Sequence, residues 1–182
     1  MPESRSLPAS LHSLQTFGAI SRFLREGVAD EDSREMREGV GALAQVIDET
    51  VKVRRARQEA GAVTAHARIL VRVVREHLRF LTGLGSAWHA LYEFGAYQSA
   101  LQELRRAAEA WLKALEQRSS REGGAFERLE LLAWRTLGEG MLLIDMYEQG
   151  SGGMLSAVPE SAPPPARSPW ARLAAWYRRL RG

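Results

Sequence analysis

Few side chains in this sequence can move a proton near neutral pH or ligate a soft metal: histidines at positions 12, 66, 77 and 89, and no cysteine. His66 and His77 stand eleven residues apart, about three helical turns, so a helix would present both on one face beside Ile69, Leu70 and Val73. A metal site or an acid–base pair there needs carboxylates from a facing helix, and Glu49, Glu59 and Glu93 could supply them. The Glu-x-x-His pairs that hold two metal ions in helical bundles do not occur. The expected place of these histidines is therefore the polar margin of a core face, and neither a metal nor a cofactor is expected.

The same stretch holds Arg72-Val-Val-Arg-Glu-His77. Its Arg-x4-His spacing resembles that of the HEPN ribonucleases, an all-helical family. The resemblance implies Arg and His side chains from two protomers that cleave RNA by acid–base chemistry. The polar residue which that family places directly after the arginine is Val73 here. A glycine-rich phosphate loop, a Gly-x-Ser-x-Gly elbow and a zincin motif are missing, and no thiol nucleophile is available. We expect a non-enzymatic protein with no small-molecule substrate, and the ribonuclease stands as a second alternative.

The densest chemistry lies in the last dozen residues. At 100° per residue, Trp170, Leu173, Trp176, Tyr177 and Leu180 gather within roughly 100–120° of arc. Arg172, Arg178 and Arg179 fall outside that arc and Arg181 lies at its edge. The spacing predicts a short basic amphipathic helix over 169–182, opened by Ser168 as cap and Pro169 at the first helical position. Such a short helix is marginal alone in water, so it should order when it docks. The candidate binding residues are Trp170, Arg172, Leu173, Trp176, Tyr177, Arg178, Arg179 and Leu180. A protein groove would take the tryptophans and arginines as anchors, self-assembly included. An anionic membrane surface would bury the Trp/Leu face under the headgroups. Nucleic acid would pair arginine with phosphate and stack on the aromatics. Alternatively, the tail folds back on its own body.

The elements that carry these residues are helical throughout, because the apolar spacing follows the helical period and nowhere alternates. A first helix is expected over 11–28, with Leu11, Leu14, Phe17, Ile20, Phe23 and Leu24 on one stripe and Ser10 as cap. Asp32 with Glu35 resembles a capping box that opens a second, 34 to about 60, ending near Gly61. A third covers 62–81, stopped by Gly83 and Gly85. A fourth stretch covers 86–117 with Gly95 as its expected break, and a loop over 119–124 leads to a last core helix, 125–147. Trp111, Trp134 and Tyr97 are the aromatics considered for an outward contact, the core being their other expected place. Gly, Ser, Ala and Pro then dominate 149–168, the composition of a tether.

Within the fourth stretch, Gly95, Tyr97, Ala100, Leu104 and Ala107, with Trp88 and Leu91 before them, resemble one tetratricopeptide (TPR) helical hairpin over 88–107. Echoes stand at Gly61-Ala62-Val63, 34 residues upstream and in the family's period, and at Gly124-Ala125-Phe126, 29 residues downstream and out of phase. The upstream copy has His66 where Ala100 should recur. The resemblance implies a scaffold that binds peptides in a concave groove.

The expected fold is all-α: an antiparallel helical bundle of about five helices over 1–148, containing TPR-like hairpins if that resemblance holds. A Pro-rich linker at 149–168 and the amphipathic helix at 169–182 follow it. Of 182 residues, 45% are apolar and 26% charged, ordinary for a globular chain. Residues 1–160 hold 20 Lys+Arg and 22 Asp+Glu, a sum of −2, whereas 161–182 hold five arginines and no acid, a sum of +5. The near-neutral body argues against a general grip on nucleic acid. Arginine outnumbers lysine 23 to 2, as coding bias in a GC-rich genome would produce. A functional preference for arginine would need a local cluster. Residues 1–14 lack a signal pattern, and the most apolar runs, 39–47 and 141–144, are too short to span a bilayer. The chain is expected in the cytoplasm, with peripheral membrane association open. Its expected role is an adaptor or assembly subunit of a larger complex, recruited through the tail.

Overall fold

A computed structural model describes residues 15–27, 31–56 and 58–154, the last four by their backbone alone. The expected tail helix with its docking residues Trp170 to Leu180, the tether beyond 154 and residues 1–14 lie outside the described residues. The described residues form α1 (Phe17–Glu26), α2 (Glu31–Arg55), α3 (Ala60–Thr82), α4 (Ser86–His89), α5 (Tyr92–Glu116) and α6 (Glu122–Met154), with no strand among them. The protein is an all-α antiparallel bundle.

Four long helices form a closed ring. α2 packs on α3, α3 on α5, α5 on α6, and α6 returns to α2. Each connection is short, so neighbours run antiparallel. The core they enclose is built from residues at helical spacing, among them Met36, Val40 and Leu43 of α2, Leu70, Val73 and Val74 of α3, Leu101 and Leu104 of α5, and Leu137 and Ile144 of α6. In a stacked repeat each hairpin would meet only its neighbours. Here the last helix closes on the first long one.

That closure is made at both ends by arginine–carboxylate forks. Near the start of α2, Arg37 Nε and Nη2 donate to Glu148 Oε1 and Oε2 at 2.6 and 2.7 Å, and Ser33 Oγ donates to the same carboxylate at 2.6 Å. At the other end Arg54 Nε and Nη2 reach Glu122 Oε1 and Oε2, each at 2.7 Å. Bidentate pairs of this kind fix direction and register together.

α1 lies along α2. Thr16 caps it by accepting from the Ala19 amide at 3.1 Å, and Phe17, Ile20 and Leu24 are buried beneath it. Close approach depends on Gly41: a Cβ there would lie 2.7 Å from Arg25 Cγ. Ser21 Oγ donates to the Gly41 carbonyl at 2.8 Å. At the helix start, Phe17 stacks on Trp134 of α6 with ring centroids 4.1 Å apart.

Helix boundaries differ from the spacing-based expectation in several places. The first helix starts at Phe17 with Thr16 as its cap, not at 11 under Ser10. α2 begins at Glu31, so the expected cap Asp32 lies within its first turn; it ends at Arg55, short of the expected 60, and the expected stop Gly61 lies inside α3. The break in the 86–117 stretch falls at Ala90–Leu91, not at Gly95, which lies inside α5 in open space. Trp88 is the cause: it is buried and stacks flat on Tyr147 of α6, centroids 3.7 Å apart, while the extended Leu91 lets the chain turn into α5. α6 begins at Glu122, ahead of the expected 125, so Gly123 and Gly124 are helical. The partners of Glu122 outweigh the low helix propensity of the two glycines. α6 also continues past the expected end at 147 to Met154.

The α5–α6 turn is a Schellman motif. The Ser119 amide donates to the Ala114 carbonyl at 2.9 Å and the Arg118 amide to Leu115 at 3.1 Å. The residue in the left-handed position is Arg118, φ 49°, where glycine is usual. Arg118→Gly should therefore stabilise the protein by about 1 kcal/mol, read as a rise in the urea midpoint with an unchanged slope. A lower midpoint would contradict this account of the turn.

Candidate functional site

His77 projects from α3 into the centre of the bundle and is fully buried. Its Nε2 lies 2.6 Å from the hydroxyl of Tyr97 on α5, also fully buried, and the two rings meet edge to face. Tyr97 in turn lies across Gly140 of α6, where a Cβ would come within 2.8 Å of its ring and 3.3 Å of Val40 on α2. One buried polar pair thus joins α3 to α5 and lies against α6, with Val40 of α2 on the other side of Gly140. Burial lowers the His77 pKa to about 3 and pushes the Tyr97 hydroxyl well above its ordinary value. Both are neutral through the physiological range.

These positions correct the expected margin. His77 is not at the edge of the core face but sealed within it, because Tyr97 supplies the polar partner that a buried imidazole needs. His66 does sit half-buried at the margin, its Nδ1 3.0 Å from the Ala62 carbonyl. His89 is exposed, its ring against Phe94, and His12 lies outside the described residues. Among the described residues no group of three His, Asp or Glu side chains is gathered as a metal could require. Arg72 and His77 are not brought together either. Five residues on a helix separate them by about 140°, and Arg72 faces solvent while His77 faces the core.

Tyr97 and Trp111, considered for outward contacts, are both core residues. Trp111 can be buried because its Nε1 donates to Glu122 Oε1 at 2.7 Å. Its ring also meets Phe126, over which the Arg54 guanidinium lies 5.4 Å from the centroid. Trp134 is half-buried against Phe17. The Arg54 hydrogen bonds hold the Glu122 carboxyl below the usual range, with burial opposing them and the Trp111 indole assisting. At the other fork burial pushes the Glu148 carboxyl up, but the hydrogen bonds from Arg37 and Ser33 outweigh it and the group titrates below its ordinary value.

The surface divides by charge. On α3, Arg68, Arg72, Arg75 and Arg79 recur at intervals of four, three and four, which makes one stripe. They face α5 across a groove of about 610 Å³ floored by Val71 and Leu112. Arg68 pairs with Glu116 at 3.0 Å and Arg75 with Glu109 at 2.8 Å, tying the two helices together. Counting Arg105 beside Glu109, six basic side chains face Glu76, Glu109 and Glu116, a local sum of +3. This is the local arginine cluster that composition alone did not locate, although the 4-3-4 spacing was visible in the sequence.

The outward face of α6 differs. It carries the exposed apolar side chains Leu131 (70% exposed) and Leu142 (46%), eleven residues apart on one stripe. Glu127, Glu139 and Asp145 flank them, against Arg128 and an Arg135 already paired with Glu103 at 3.2 Å. No helix among the described residues is long and apolar enough to cross a membrane.

Two outcomes follow from the buried centre. Unfolded histidine binds a proton near pH 6.5 and folded His77 only near pH 3, so the unfolded chain holds more protons between these values. This contribution is complete above pH 6.5 and is lost as pH falls, at about 1.4 kcal/mol per pH unit, or about 2 kcal/mol by pH 5. His77→Gln should flatten that limb in urea titrations at pH 8, 6 and 5. The paired carboxylates enter only below their unfolded value of about 4.3. An unchanged slope between pH 6.5 and 5 in the variant would assign the loss elsewhere. Gly140→Ala should cost roughly 1–3 kcal/mol by overpacking against Tyr97. The same denaturation midpoint as the parent would show that the ring has room to move.

Compared with family models, curated proteins and solved structures, the chain matches none.

Proposed function

We propose that the protein is a non-enzymatic adaptor or assembly subunit, recruited to a larger complex through the basic amphipathic segment at 169–182. The observation that carries this reading is the division of charge, −2 over residues 1–160 and +5 over 161–182. A body of near-neutral net charge with an Arg/Trp-rich end suits two jobs held by separate parts: rigid presentation by the bundle and docking by the tail. Trp170, Trp176 and the arginines are the residue types that anchor protein interfaces. The body supports presentation, since its ring is clamped at both ends by bidentate ion pairs.

The competing readings draw less from the geometry. A concave TPR-type peptide groove fits poorly with a ring in which α6 closes on α2. A ribonuclease using Arg72 and His77 would need two side chains that diverge around α3, one of them sealed in the core. Peripheral membrane binding uses the same tail residues and stands as the first alternative.

Affinity capture with the full chain should retain a protein partner that a Trp170→Ala/Trp176→Ala variant loses, with affinity falling at least tenfold and circular dichroism unchanged. Co-sedimentation with vesicles of anionic and of neutral lipid, run in parallel, separates the alternative. Tryptophan-dependent pelleting on anionic vesicles without any captured partner would replace the adaptor reading with the membrane one.

A further inference from the structure

The tail carries +5 charge and an arc of two tryptophans, a tyrosine and two leucines. The body offers a groove between α3 and α5 and an exposed leucine stripe on α6, and electrostatics decides between them. The α3–α5 groove sums to +3 and would repel a cationic helix. The outward face of α6 offers what the tail lacks a partner for. Leu131 and Leu142 are exposed with the half-buried Trp134 and Met146 at their sides. Around them, Glu127, Glu139, Asp145 and Glu103 outnumber Arg128 and Arg135.

Chain length allows the return. α6 is described to Met154, and residues 155–168, fully extended, reach at most about 46–50 Å. Leu142 lies about 18 Å and Leu131 about 35 Å back along the α6 axis. A tail helix starting at Pro169 can therefore lie along either leucine.

We propose that the outward face of α6, centred on Leu131 and Leu142, is the docking site for the chain's own C-terminal helix, residues 169–182, bound within the same molecule. The Trp170, Leu173, Trp176 and Leu180 arc covers the leucine stripe, and the tail arginines meet the flanking carboxylates. An outside partner of the tail would then compete with α6 for the same aromatic face. The proposal rests on the tail being a docking helix but needs no outside partner. Capture of a partner by a tail that never touches α6 would overturn this proposal and leave the adaptor reading standing.

Because the chain has no cysteine, a single Gly182→Cys substitution gives a unique site for a nitroxide label on the full chain. Paramagnetic broadening should remove most of the intensity of the Leu131, Leu142 and Met146 methyl signals. The Val71 and Leu112 methyls on the basic groove should keep theirs. Leu131→Asp/Leu142→Asp alters only solvent-exposed side chains, so its circular dichroism should match the parent, and the Met146 signal should recover. Mixing isotope-labelled, spin-free chain with spin-labelled, unlabelled chain should broaden nothing. Broadening of the α6 methyls in the mixed sample as well would make the occupant a second copy and overturn the intramolecular site. Broadening of Val71, or of no methyl at all, would overturn the α6 face itself.

Discussion

Closure of α6 onto α2 depends on two carboxylates that lie at opposite ends of one long helix. Glu122 accepts from Arg54 of α2 and from Trp111 of α5. Glu148 accepts from Arg37 and Ser33, both of α2. Neither fork adds much net stability, since removing ions from water costs about as much as their attraction returns. What they supply is discrimination. Reversing or shifting α6 would leave the Arg37 guanidinium, only 5% exposed, without a counterion, and an unpaired buried charge is far more costly than the pair is favourable. The apolar ridges alone would tolerate several registers; the forks select one.

The centre of the ring works by a different means. His77 Nε2 and the Tyr97 hydroxyl meet in a space with no water-facing side, and Gly140 provides the room for the aromatic ring. A polar pair among Val, Leu and Ile constrains the core more tightly than apolar packing would, because any rearrangement strands a donor or an acceptor. It also makes the pair unsuitable for chemistry on an outside molecule. The imidazole is held neutral by the same burial that shuts out substrate. The position that resembled a catalytic motif holds one half of a buried polar pair.

How much of this the residues announce varies with the range of the interaction. The helices and their buried faces follow from local periodicity, and Met36, Leu43, Leu70 and Leu104 lie inward as the spacing expects. Helix ends were less legible where a distant partner decides them. Gly123-Gly124 reads as loop until Arg54 and Trp111 are seen to hold Glu122. Gly95 reads as a break until Trp88 is found stacked on Tyr147. Trp111 and Tyr97 lie in the core, as their spacing favours, but the polar partner each needs there stands eleven or twenty residues away and spacing does not name it. Of the candidate site, the tail residues and their charge are plain in the sequence, whereas the exposed leucine stripe of α6 emerges only once the neighbouring helices show which of its leucines remain uncovered.

Charge on the bundle follows from how arginine is used. At the forks a planar guanidinium binds a carboxylate with two bonds and gives direction. Along α3 the same residue, at intervals of four, three and four, meets too few carboxylates on α5 to be neutralised, and a basic face remains. A body summing to −2 with a +3 face must be acidic over the rest of its surface, and part of that excess flanks the exposed leucines of α6. A segment with five arginines would be repelled from the α3–α5 face by a potential that falls off over about 10 Å at ordinary salt. If 169–182 docks on α6 as proposed, low salt should sharpen that steering, and high salt should leave only the apolar contacts of Trp170 and Trp176 to hold it.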